Sequence, residues 1–244
     1  MICGKTDSKT FLLFLFAILL VPDPGRAAVA ATRQTAAKAS ERKAGSRSTA
    51  AKASASKTNK AVATEQAGPP NKTMGSRGAP ITIEVFSDYQ CPACRVFYLE
   101  TLRPLMDNYV STGKVLLIHR DFPLPIHQYS RQAARLVNAA AKIGKFEKAE
   151  QALYAKQESW EKDGNLSGAL AAVLTPAELA HVTQVAESGK MDTFIESDVS
   201  LGTSKQVHQT PSLFLTHAGQ TDALPPGGVS YSLLKRYLDQ LLEQ

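Results

Sequence analysis

Glu84-Val85-Phe86-Ser87-Asp88-Tyr89-Gln90-Cys91-Pro92-Ala93-Cys94 leads from an apolar strand pattern straight into a closely spaced cysteine pair. Upstream, Ile81-Thr82-Ile83 extends the run of β-branched residues, so Ile81–Phe86 reads as a strand. Downstream, Val96, Phe97, Leu99, Leu102, Leu105 and Met106 recur at helical spacing, and a helix is expected from Cys91 to about Tyr109, kinked or broken at Pro104. The chain holds three cysteines, and Cys3 falls in a segment that reads as a leader. Cys91 and Cys94 then have only each other as intramolecular partners. A bridge across two residues closes a very small loop and constrains the unfolded chain little, which weakens a purely structural role. A zinc site needs four ligands, and the five scattered histidines supply no second ligand pair at the usual spacing.

The position of the pair is suited to redox chemistry. The reactive species is the thiolate. If Cys91 caps the helix, its sulfur faces unpaired backbone N–H groups and the positive end of the macrodipole, and both favour the anion. Pro92 fits the first helical turn, where its missing N–H costs nothing. Cys94 lies one turn on and points the same way. Cys91 is therefore expected to be the exposed nucleophile and Cys94 the buried resolving thiol.

The remainder alternates in a recognisable order. Lys114–Arg120 and Ser212–Leu215 read as strands, a fourth short strand is expected near Asp222–Leu224, and Tyr231–Leu242 as a closing amphipathic helix. Residues 127–207 show only helical patterns, and Pro176 sits where a helix would begin. That gap far exceeds a parallel crossover, so an all-helical subdomain inserted in a mixed sheet is expected, an α/β fold.

Glu84–Cys94, His119-Arg120-Asp121-Phe122-Pro123-Leu124, Gly144-Lys145-Phe146, Gln157-Glu158-Ser159-Trp160 and Gln209-Thr210-Pro211-Ser212-Leu213-Phe214 together resemble the sequence blocks of DsbA-like thioredoxin-fold proteins, across about residues 80–242. The resemblance implies a thioredoxin-like fold with a helical insertion, and thiol–disulfide exchange with protein substrates outside the cytoplasm. It implies no cofactor and no metal, and a membrane redox partner, quinone-linked or vitamin-K-epoxide-reductase-like, that recycles the site. Carried over by position, Pro211 matches a cis-proline facing the cysteines, and Thr210 would offer backbone groups to an extended substrate. Glu84 matches a buried acid that handles the resolving cysteine's proton, with burial expected to raise its pKa. Ala93 departs from the strongly oxidising relatives, which carry histidine there, so a milder oxidant is expected. His208 reads either as a neighbour of the sulfurs or as an ordinary loop residue. Promotion of disulfide formation is the leading expectation; reduction or isomerisation by the same site and a non-catalytic binding or chaperone module are the alternatives.

The N-terminal third is of another kind. Lys5, Lys9, the apolar run Phe11–Val21 and Ala28-Val29-Ala30 predict a secretory leader over 1–30, placing the protein at the periplasm or extracytoplasmic face of a bacterial envelope. From 31 to 80 the chain has ten Lys/Arg against two Glu and no aromatic residue; from 81 it has 15 Lys/Arg and 18 Asp/Glu. The basic balance thus belongs to residues 31–79, read as a disordered linker that could touch an anionic surface. Nucleic acid fits neither export nor the lack of stacking residues. The folded domain is expected at 80–244.

Overall fold

The computed structural model describes residues 64–244; the expected leader and most of the basic linker lie outside the described residues. The centre is a five-stranded mixed sheet in the order β1-β3-β2-β4-β5. Its strands are β1 (Thr73–Met74), β2 (Ile81–Ser87), β3 (Val115–Asp121), β4 (Ser212–His217) and β5 (Gln220–Ala223). β2 and β3 are parallel, with Val85 opposite His119, and the other pairings are antiparallel. Between β2 and β3 runs a helical stretch, α1 (Pro92–Phe97) and α2 (Arg103–Leu105), with π-helical turns at Tyr98–Leu102 and Met106–Val110. It continues past Pro104 instead of breaking there. The π turns on either side of Pro104 rearrange the backbone bonding that an interior proline would otherwise interrupt.

Between β3 and β4 every regular element is a helix, as expected: α3 (Ser130–Lys142), α4 (Phe146–Ala155), α5 (Gln157–Asp163), α6 (Leu166–Leu170), α7 (Pro176–Glu187) and α8 (Asp192–Ser204). Pro176 does open a helix, behind a Thr175–Glu178 capping box. The closing helix is α9 (Tyr231–Leu242).

The two faces of the sheet are distinct because side chains alternate along each strand. Ile81, Ile83 and Val85 of β2, with Val115 and Leu117 of β3, enter the main core on one face. Phe86 points to the other face, edge-on to Phe122 and Phe214. There α8 approaches closely at Gly202, where an added Cβ would come within 2.7 Å of the Phe122 ring.

The domain begins earlier than the expected boundary at residue 80. β1 lies within the segment read as linker and pairs with β3, and Lys72 just before it is buried. Its ammonium is held between Asp121 of β3 and Asp198 of α8. Asn138 of α3 donates to Asp121 at 2.7 Å, and His119 contacts Asp121 and, at 2.8 Å, Glu150 of α4. A buried ammonium is tolerated only with such partners. Burial alone would raise the Asp121 pKa, but Lys72, His119 and Asn138 outweigh it and hold the carboxyl well below its usual range. Burial likewise opposes the charge on His119, yet Asp121 and Glu150 push its pKa up to about 9.

Two outcomes follow from this knot of charges. Lys72→Ala removes the cation shared by two buried carboxylates, leaving Asp121 to His119 and Asn138 and Asp198 to Arg120, and is expected to cost about 3 kcal/mol in urea unfolding; an unchanged midpoint would mean the knot is dispensable. The raised pKa of His119 contributes stability that is complete below its ordinary value of 6.5 and lost as pH rises through about 9. In a Cys91→Ser background, which removes the opposing titration of that thiol, unfolding free energy should fall across this window. His119→Gln should flatten the fall, and an unaltered slope would count against a charged His119.

Candidate active site

Cys91 is the N-cap of α1, with extended backbone (φ −70°, ψ 121°) and Pro92 in the first turn. Pro92 thus takes the position where a proline costs no helical hydrogen bond. Cys91 keeps 7% of its surface exposed and Cys94 only 1%, and both carry free thiols. Both are therefore buried, against the expected exposure of Cys91, although Cys91 is the less buried of the two as expected.

The Cys91 pKa is pulled down to about 5. The largest cause is the hydrogen bond from Cys94; partial burial opposes it, and Thr210 and the backbone N–H groups of Cys94 and Ala93 add to the lowering. As a thiol, Cys91 donates to the Thr210 carbonyl at 3.5 Å. The Thr210 hydroxyl, buried with no other partner, is free to donate once the sulfur is ionised. Burial pushes Cys94 the other way, well above the usual thiol range, and its bond to Cys91 adds to the rise. The Thr210–Pro211 peptide is cis, as expected.

The turn before Cys91 is fixed by residues the sequence reading did not single out. The buried Asp88 carboxylate accepts from the backbone N–H of Gln90 (2.8 Å) and Leu124 (2.8 Å), from Ser130 Oγ (2.6 Å), and contacts His127 Nδ1 at 2.7 Å. Its carbonyl accepts from the Cys91 N–H at 3.1 Å. Gln157 Nε2 donates to the carbonyls of Tyr89 and Cys91 from α5. The Ser87 hydroxyl lies 2.6 Å from that of Tyr154. The signal for Asp88 was its place beside the pair; Tyr154 carried none.

Glu84 does not take the expected role. It sits three residues before Ser87, on the opposite face of β2. There its carboxylate binds Arg120 (2.7 Å) and Lys205 (2.7 Å). It is half-buried, and although burial would raise its pKa, the hydrogen bonds from Lys205 and Arg120 prevail and lower it. An ion-paired carboxylate turned away from Ser87 and Cys94 is no proton acceptor for that thiol. His208 is exposed and takes no part in the contacts of Cys91.

A family profile described as Thioredoxin matches residues 67–230, well over half of the chain and including β1 and Lys72. The chain belongs to the thioredoxin family. The thioredoxin-family domain is similar to the disulfide bond formation protein D of Bacillus subtilis, 22% identical over 166 residues that make up 64% of this chain and 72% of that one. A probable disulfide bond formation protein D of Bacillus cereus is 36% identical over 52 residues, covering 21% of this chain and only 24% of that relative. The crystal structure of oxidised BdbD from Bacillus subtilis superposes with a TM-score of 0.61 at 19% identity, over 74% of this chain and 99% of that one, so the two share a fold. No helix among the described residues is long and apolar enough to cross a membrane.

The lowered Cys91 pKa predicts a pH profile. Alkylation of the reduced protein by iodoacetamide should rise with a midpoint near pH 5 and saturate by about pH 7, at Cys91 only, because the thiolate is the nucleophile. A midpoint near 8.5, the free-thiol value, would refute the electrostatic account of the site.

Proposed function

We propose that this thioredoxin-family protein is an exported thiol–disulfide oxidoreductase that passes its Cys91–Cys94 disulfide to protein thiols. The observation that carries the reading is the place of Cys91 at the N-cap of α1, with Sγ 3.5 Å from the Thr210 carbonyl, a setting that favours its thiolate. Stabilising one sulfur of the reduced pair lowers the free energy of the dithiol state, and so makes the disulfide a better oxidant. A substrate thiolate attacks Cys91 Sγ, a mixed disulfide forms, and Cys94 leaves. A second substrate thiol then attacks the mixed disulfide and releases Cys91 as thiolate. The Thr210 backbone, across from Cys91, is placed to pair with an extended substrate chain. A groove of about 360 Å³ beside it, lined in part by Ala93, Val96, Phe97 and Gly228, offers apolar contact to the same substrate.

Export is supported by the sequence of residues 1–30 and by chemistry that operates in oxidising compartments. A membrane redox partner, quinone-linked or vitamin-K-epoxide-reductase-like, would restore the disulfide after each cycle.

The pKa of Cys91 lies between the values of about 3.5 and 7 at DsbA and thioredoxin. The reduction potential should accordingly fall between about −120 and −270 mV. This is the milder oxidant expected of a Pro92-Ala93 dipeptide. Equilibration with glutathione buffers measures it. A potential at or below about −270 mV would assign the site to reduction, and exchange activity retained by Cys91→Ser would remove the site altogether.

A further inference from the structure

The block Gln157-Glu158-Ser159-Trp160 is the part of the family resemblance that the cysteine chemistry leaves unused. Gln157 and Trp160 are three residues apart on α5, so they share one face of the helix, and both are 1% exposed. Trp160 Nε1 donates to the Leu153 carbonyl at 2.7 Å and fastens α5 to α4. Gln157 reaches out of the insertion to the active-site turn. Its Nε2 donates to the carbonyl of Tyr89 at 2.6 Å and to that of Cys91 at 3.1 Å.

Those two carbonyls decide the shape of the turn. The Cys91 N–H donates to the Asp88 carbonyl at 3.1 Å, closing a β-turn whose central peptide joins Tyr89 to Gln90. The direction of that peptide is what separates one turn type from another. Here it is held at both ends: the Asp88 carboxylate accepts from the Gln90 N–H at 2.8 Å, and Gln157 donates to the Tyr89 carbonyl. The second bond acts on Cys91 itself. The direction of a carbonyl follows the ψ of its residue. Gln157, together with the Arg95 N–H at 3.1 Å, therefore fixes Cys91 at ψ 121° and sets Sγ over the start of α1. The backbone N–H groups of Ala93 and Cys94 and the Thr210 side of the site favour the anion only of a sulfur in that place.

We propose that Gln157 is a positioning residue for disulfide exchange, the buried amide by which the helical insertion holds Cys91 where its sulfur is reactive. At 1% exposure, water cannot take over its two bonds. Arg95 and Glu158 link the same two helices at 3.0 Å, but the Glu158 side chain is 73% exposed and such a pair adds little. The inference rests on the redox reading of Cys91 and Cys94, but not on its direction: the Cys91 thiolate attacks in one direction and is released in the other. Gln157 touches no reacting atom and acts through the Cys91 backbone.

A positioning role moves quantities that a merely structural role leaves alone. The test measures the pH profile of Cys91 alkylation by iodoacetamide in the reduced protein, and the equilibrium of the disulfide with glutathione at pH 7. Gln157→Met and Gln157→Leu stay near the volume of glutamine and have no donor. Each should raise the alkylation midpoint by about one pH unit and make the disulfide about tenfold weaker as an oxidant in its equilibrium constant, because the reduced state loses the same stabilisation in both measurements. Val182→Ala, at a fully buried site on α7, serves as the control: it should lower the melting temperature and move neither quantity. Where one glutamine variant fails to fold, the other decides. Failure of both to fold would make the amide a requirement of the fold and would overturn the proposal. So would midpoints within about 0.3 units of the parent, or a control that moves as far as the glutamine variants. A parent that exchanges no disulfide with glutathione, or whose midpoint lies near the free-thiol value of about 8.5, would instead overturn the proposed function, and this inference with it.

Discussion

The buried carboxylate of Asp88 is the interaction on which the site depends. It is 1% exposed and gathers the backbone of the active-site turn, the loop after β3 and the first residue of α3. A carboxylate with four partners loses little by burial, because each oxygen is satisfied by fixed donors. The turn it holds ends at Cys91, whose N–H returns to the Asp88 carbonyl. The helix start, the proline at its first turn and the sulfur above it are thereby placed together. Without that anchor the core shared by the sheet and the insertion would remain, but Cys91 would lose its fixed position against Thr210.

The sheet carries charge on both faces. On the face of Ser87, Asp121 lies directly opposite that serine, and His119 of the same strand stacks on Tyr89. On the other, Glu84, Arg120, Lys205 and Asp198 form an ion-paired network under α8. Lys72 pairs with Asp121 and Asp198, tying the start of the domain to β3 and to the helical insertion.

Much of this was legible in the sequence. Ile81–Ser87 shows its strand through β-branched residues, and Pro92 and Pro176 mark helix starts because a first turn tolerates a missing N–H. The Thr210-Pro211 cis bond came from resemblance, since local chemistry alone favours trans. Lys72 was not legible. In sequence it is one more cation after a basic tail, and its partners lie 49 and 126 residues away. β1 is two residues long, too short for any pattern. Glu84 was misread for a different reason: the period of two was available, and it places Glu84 and Ser87 on opposite faces, but the role was carried over by position alone. Tyr154 sits on a helix whose apolar face gives no sign that one hydroxyl meets a strand serine.

The central claim is that Cys91 exchanges disulfides with proteins through a mixed disulfide, with Cys94 as the sulfur that leaves as it forms and returns as it reverses. Replacing Cys94 with Ser removes the resolving sulfur and leaves the nucleophile in place. The measurement is to express full-length Cys94→Ser, quench the cells with acid and alkylating reagent, and identify by mass spectrometry what is bonded to Cys91. The account predicts cysteine peptides of other proteins joined to Cys91, released by reductant and absent from the Cys91→Ser/Cys94→Ser double variant. A Cys91 recovered only as alkylated free thiol, with no protein attached, would contradict it.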